Sequence, residues 1–127
     1  KDTSIDKISS FLWRIYSNKT KNSQYNPADM RHLHDLTFLT KQFNIDDTFR
    51  EHFLDVFNFD MKFRLKEDIS LDEIIKDVLT ILRTDKKYEI DFVRYVSNMS
   101  YAKTSEQLTY DKALDSFFKL MKDIKKA

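Results

Sequence analysis

Cysteine and glycine are both missing from the 127 residues, and proline occurs once. Ordinary usage of about 7% glycine would place roughly nine in a chain this long. Phosphate-cradling loops, dinucleotide fingerprints and the strained turn of a nucleophile elbow need glycine to bring backbone against a ligand. None of them is built by this sequence. Without cysteine there is no disulfide frame, thiolate zinc site or thiol nucleophile, and that usage fits a reducing cytoplasm, the expected location. An excess of one charge is also lacking. Twenty-two Lys and Arg against 21 Asp and Glu leave a formal net charge of +1, which gives no global pull toward nucleic acid or anionic lipid. No apolar run approaches the roughly 18 residues of a membrane span, and Lys1 to Lys7 lack the apolar centre of a signal peptide. A membrane is therefore not among the expected partners. The chain begins at Lys1 without an initiator Met and reads as a processed product or a piece of a longer polypeptide.

What the sequence does have is aromatic residues, 14% of the total with 11 Phe, and apolar positions that recur every three or four residues. That period is helical. After Ser4, Ile5, Ile8, Leu12 and Ile15 form one stripe with Phe11 beside it, and the pattern fades at Ser17 or Asn18. Asn26-Pro27 is a start signal, since Asn caps free amides and Pro tolerates the first helical position. A second helix is predicted from Pro27 to Phe43, burying Met30, Leu33, Leu36, Thr40 and Phe43. Asn44 to Asp47 reads as a turn and cap before Phe49, Phe53, Val56, Phe57 and Met61, with a kink or stop near Asn58. Ser70 and Glu73 have capping-box spacing ahead of Leu71, Ile74, Ile75, Val78, Leu79 and Leu82. A helix from Lys87 to Met99 would bury Ile90, Val93 and Val96. The last begins after Thr109 and uses Ala113, Leu114, Phe117, Phe118, Leu120, Met121 and Ile124. The expected fold is all-α, a single compact domain of five to six helices spanning residues 1–127.

The densest polar string is Arg31-His32-Leu33-His34-Asp35-Leu36. On helical spacing Arg31, His34 and Asp35 share a face, which puts a cation, an imidazole and a carboxylate where they would hold a phosphate or a metal. The plain alternative is a solvated ion pair worth about a few tenths of a kcal/mol. A metal site made of His32, His34 and Asp35 is poorly supported, because helical His ligands need a spacing of four; no metal ligands are assigned. His52 has no nucleophile placed by spacing, and nothing builds a Ser/His/Asp triad. Lys7 and Arg14 fall on one face of the first helix, a stripe suited to phosphates or simply wetted. Lys119, Lys122, Lys125 and Lys126 suit a helix end. Tyr95 to Ala102 reads either as a capped helix end or as a polar ledge beside a site.

Three segments, in order, resemble the AbiEii/AbiGii nucleotidyltransferase-like toxins of bacterial abortive-infection and toxin–antitoxin systems, which act in phage defence. Asp6 to Arg14 is similar to the family's lysine-bearing helix, and Arg31 to Leu39 to its Arg-x-x-x-Asp-Leu helix. Phe92 to Ala102, followed by Tyr110 to Leu120, is similar to the tail of one branch. Members join an N-terminal α/β nucleotidyltransferase domain, with a glycine-containing motif and metal-binding acids, to a helical C-terminal domain. This chain resembles the second part alone. The resemblance implies transfer of a nucleotide from a nucleoside triphosphate, with Mg²⁺, to an acceptor such as tRNA, in the full-length protein; no cofactor is expected in this fragment by itself, which would be inactive. It implies a cognate antitoxin as partner. Lys7 would meet the triphosphate and Asp35 would support the site, the two catalytic assignments. Arg14, Arg31 and His34 would contact substrate. Many members carry Asp directly after the Arg of the second segment, whereas this chain has His32. A non-enzymatic helical interaction module, using Trp13, Tyr16 and the Phe-rich third helix, is the alternative from a different class; a small nucleic-acid binder is a third.

Overall fold

A computed structural model describes residues 2–20, 28–39, 44–66, 68–98 and 109–125. It has the expected all-α architecture: α1 (Asp2–Thr20), α2 (Ala28–Leu39), α3 (Asp47–Asp60), a π-helical turn (Met61–Leu65), α4 (Leu71–Thr84), α5 (Lys86–Ser97) and α6 (Tyr110–Lys125). Among the described residues there is no strand, and no helix is long and apolar enough to cross a membrane.

The caps follow local chemistry. Asp46 accepts the Phe49 amide at 2.9 Å, Ser70 accepts the Glu73 amide at 3.2 Å, and Thr109 accepts the Lys112 amide at 3.2 Å. Each satisfies an amide that the first turn of a helix leaves without a partner. The Ser70 hydroxyl in turn reaches the Glu73 carboxylate, on the spacing that predicted the start of α4.

The interruption expected near Asn58 comes at Asp60, as a distortion of the third helix and not a stop. The helix runs to Asp60 and widens into the π turn, and the reason lies in its apolar spacing. Phe53, Phe57, Met61 and Leu65 are all buried, each four residues from the last. An α-helix turns every 3.6 residues, so a strict four-residue stripe drifts off the core; a wider turn brings it back. Lys66 closes the segment at φ 57° and ψ 43°. This left-handed position usually falls to glycine, which this chain does not have.

The buried stripes of α1, α2, α3 and α6 match the predicted positions within the described residues, with Phe49, Val56 and Phe118 only partly buried. Thr40, Phe43 and Met99 lie outside those residues. On α5 the prediction is corrected. Val96 is buried as predicted, but Ile90 and Val93 are 54% and 51% exposed, and Tyr88 and Phe92 are buried in their place. Both sets fit a helical period; the two large rings bury more apolar area than Ile and Val, and they face the core. All the buried apolar side chains join one cluster. Within it α1 is central, packing on α2, α3, α4 and the π turn, and α6 closes the far side against α2, α3, α4 and α5. The buried Tyr110 hydroxyl donates to the Leu82 carbonyl at 2.6 Å, tying α6 to the last turn of α4.

Candidate functional site

Helices α1 and α2 cross with two polar stretches face to face. From α1 come Lys7, Arg14 and Asn18; from α2 come Asp29, His32 and Asp35. Asp29 is buried at 2% exposure. The Arg14 guanidinium lies 3.8 Å from its Oδ1, and the Asn18 amide donates to its Oδ2 at 3.3 Å. The buried Tyr88 hydroxyl of α5 lies near enough for Asn18 and Asp29 to act on its pKa, so α5 borders this carboxylate. Arg14 lies along the Trp13 ring, 5.7 Å from its centroid.

Burial pushes the Asp29 carboxyl above its usual range; the Arg14 charge and the Asn18 hydrogen bond oppose that shift without cancelling it. His32 sits between the two acids of α2. Burial lowers its pKa, with Arg14 and Lys7 acting in the same direction and Asp29 and Asp35 against them. The ring is therefore held toward its neutral form. Three atoms here are buried without a hydrogen-bond partner: Trp13 Nε1, Asp29 Oδ1 and His32 Nδ1. Buried polar atoms without partners cost about 1–3 kcal/mol each, and such a concentration on two crossing helices marks the face as polar beyond what packing requires.

The predicted residues divide between two places. Lys7, Arg14 and Asp35 all act on His32 through their charges, so the first two of the three resembling segments lie near one another. Arg31 is exposed on the outer side of α2. His34 is not on a shared face with Arg31. It is 7% exposed and boxed by Phe38, Phe92 and Tyr95 at ring-centroid distances of 5.0, 6.0 and 5.3 Å. The physical reason is the wide buried arc of α2, which packs on α1, α5 and α6 and so takes in Asp29, Met30, Leu33, His34, Leu36 and Thr37. Burial lowers the pKa of His34, with the Asp35 carboxylate opposing from 3.9 Å. Of the Tyr95 to Ala102 ledge, Tyr95 packs edge-on to His34, and residues 99–102 lie outside the described residues.

Asp29 was not legible as a site residue. Its only signal was Arg14 and Asn18 at a spacing of four on α1, two donors facing one way in search of an acceptor. Trp13 and Tyr16, the interface candidates of α1, are partly buried against the core. Of the lysines at the chain's end, Lys125 pairs with Asp72 at 2.8 Å and Lys122 lies over the Phe118 ring.

For a nucleoside triphosphate, Lys7 and Arg14 supply charge complementary to phosphate. A magnesium ion fits less well. Asp29 is committed to Arg14 and Asn18, and among the described residues no group of three or more His, Asp or Glu side chains is arranged to hold a metal. Comparison with models of protein families, with curated proteins and with solved structures gives no match for this chain.

Proposed function

We propose that this chain is the helical C-terminal domain of a nucleotidyltransferase-like toxin, and that its α1–α2 face holds the phosphates of a nucleoside triphosphate delivered to an acceptor such as tRNA. The observation that supports this reading is the ion pair of Arg14 with Asp29 across α1 and α2, beside which Lys7 and Asp35 lie close enough for their charges to act on His32. Lys7 is the point charge for phosphate. Arg14, half engaged by Asp29, lends the remainder of its fork. Asp35, 3.9 Å from His34, orients an incoming hydroxyl. Transfer of this kind depends mainly on positioning and charge stabilisation, and both suit residues fixed on rigid helices. The metal and its carboxylate ligands belong, in this proposal, to an α/β domain elsewhere in the encoded protein, and a cognate antitoxin silences it in the bacterial cytoplasm.

The test uses the complete encoded protein. Lys7→Ala and Asp35→Ala are each expected to lower incorporation of labelled nucleotide into tRNA by on the order of 10²-fold, with the circular dichroism of the helices unchanged. Full transfer by both soluble variants overturns the assignment, as does a reading frame that encodes no α/β domain.

A further inference from the structure

The neighbouring side of α1 presents a different surface where it meets α3. Asp6, Asp55, Phe59, Asp60 and Arg64 line an open pocket of about 580 Å³. On its rim Phe59 and Phe63 are 54% and 55% exposed, with ring centroids 4.7 Å apart. The widened turn after Asp60 has a clear consequence here. The same four-residue spacing that keeps Met61 and Leu65 in the core brings these two rings together on the outside, their planes tilted by 43°. Isolated exposed apolar residues are ordinary, but two adjacent rings beside a pocket mark a contact surface.

The charge of the pocket points to what covers it. Asp60 is satisfied internally, accepting from the Ser9 hydroxyl at 2.7 Å and from Arg64 at 3.2 Å. Asp6 and Asp55 are exposed, and neither makes an ion pair with another described residue. With Arg64 drawn onto Asp60 and Lys62 over the Phe63 ring, Asp6 and Asp55 leave a surplus of one negative charge beside the rings, in a pocket that His52 also lines. Phosphate, nucleic acid and anionic lipid are repelled from such a surface. A cationic side chain is attracted both by the carboxylates and by the faces of the rings, as Lys62 already is, 5.3 Å from the Phe63 centroid.

We propose that this groove docks a basic amphipathic helix of a protein partner. An apolar side chain seats on Phe59 and Phe63 while a Lys or Arg one turn away reaches Asp6 and Asp55, the helix-in-groove mode of recognition. The proposal does not depend on the phosphate reading of the α1–α2 face, and each survives failure of the other.

The test is a titration of the ¹⁵N-labelled chain with two 14-residue helical peptides. Both have the same Leu and Phe positions; one carries Lys at its polar positions and the other Glu. The Lys peptide is expected to shift amide signals across residues 55–64 and to bind at least tenfold more weakly to the Asp6→Lys/Asp55→Lys double variant. Phe63→Ser, a change at an exposed position, is expected to weaken it similarly while leaving the helical spectrum intact. Equal binding of both peptides, no binding of either, or shifts confined to other surfaces overturns the proposal. So does concentration-dependent dimerisation that Phe63→Ser abolishes, because the groove would then serve a second copy of this chain.

Discussion

Ser9 and Asp60, 51 residues apart, are joined by a buried 2.7 Å hydrogen bond in which the Ser9 hydroxyl donates to the carboxylate. The bond fixes the middle of α1 against the junction of α3 and the π turn. Ser9→Ala removes the donor and leaves a buried carboxylate oxygen without it. The expected cost is about 1.5–3 kcal/mol, the range for a hydrogen bond to a charged group, read as a lowered urea midpoint with unchanged slope. A midpoint equal to that of the parent would show that water replaces the hydroxyl.

Tyr110→Phe tests the corresponding tie at the other end of the molecule. The Tyr110 hydroxyl donates to the Leu82 carbonyl, and burial raises its pKa far above the usual value, with nearby carboxylates adding to the shift. It therefore remains a donor throughout the folded range. Losing it is expected to cost about 1 kcal/mol and to lower Tm by several degrees, with the helical spectrum unchanged. Calorimetry of the two proteins side by side gives the answer.

His34 gives the fold a dependence on acid. Its pKa in the folded chain lies below the ordinary 6.5, chiefly because it is buried. Between those two values the unfolded chain binds more protons, so stability rises with pH. The contribution is complete above 6.5 and is lost as pH falls through the lower folded value. His34→Leu is expected to flatten stability between pH 7.5 and 5.5, with a residual slope from His32, which is shifted in the same direction. An unaltered slope in urea melts at the two pH values would refute this role.

Asp29 acts in the opposite sense. Its folded pKa is raised above 3.8 by burial, against the pull of Arg14 and Asn18. Its contribution is therefore complete below 3.8 and declines as pH rises through the folded value. The stability of Asp29→Asn relative to the parent is expected to increase from pH 3.5 to pH 7. Parallel pH–stability curves for the two proteins would contradict the shift.

Much of this fold could be read from apolar spacing and caps. The stripes of α1, α4 and α6 have a single helical solution, and Ser70 with Glu73 announces the start of α4. On α5 two stripes of equal period compete, and only the sizes of Tyr88 and Phe92 decide between them. The π turn has no glycine or proline to mark it; its trace is the unbroken spacing of four from Phe53 to Leu65. The α1–α2 face was legible in its positive residues, Lys7 and Arg14. Asp29 was not, because a buried acid at a helix start looks like an ordinary first-turn carboxylate. His34 was misplaced because an imidazole among aromatic rings leaves no polar pattern in the sequence.

The central place of α1 has a consequence for synthesis on the ribosome. Its partners α3 and α4 emerge later, and about 64 residues separate the end of α1 from the end of α4. At roughly 5–20 residues per second, its apolar face waits on the order of 3–13 s for α4, with α2 and then α3 to cover it. Ile5, Ile8, Leu12 and Ile15 are thus available in the nascent chain to any chaperone that binds short apolar segments. Slowing translation through α4 should therefore promote aggregation while leaving the stability of the finished protein unchanged.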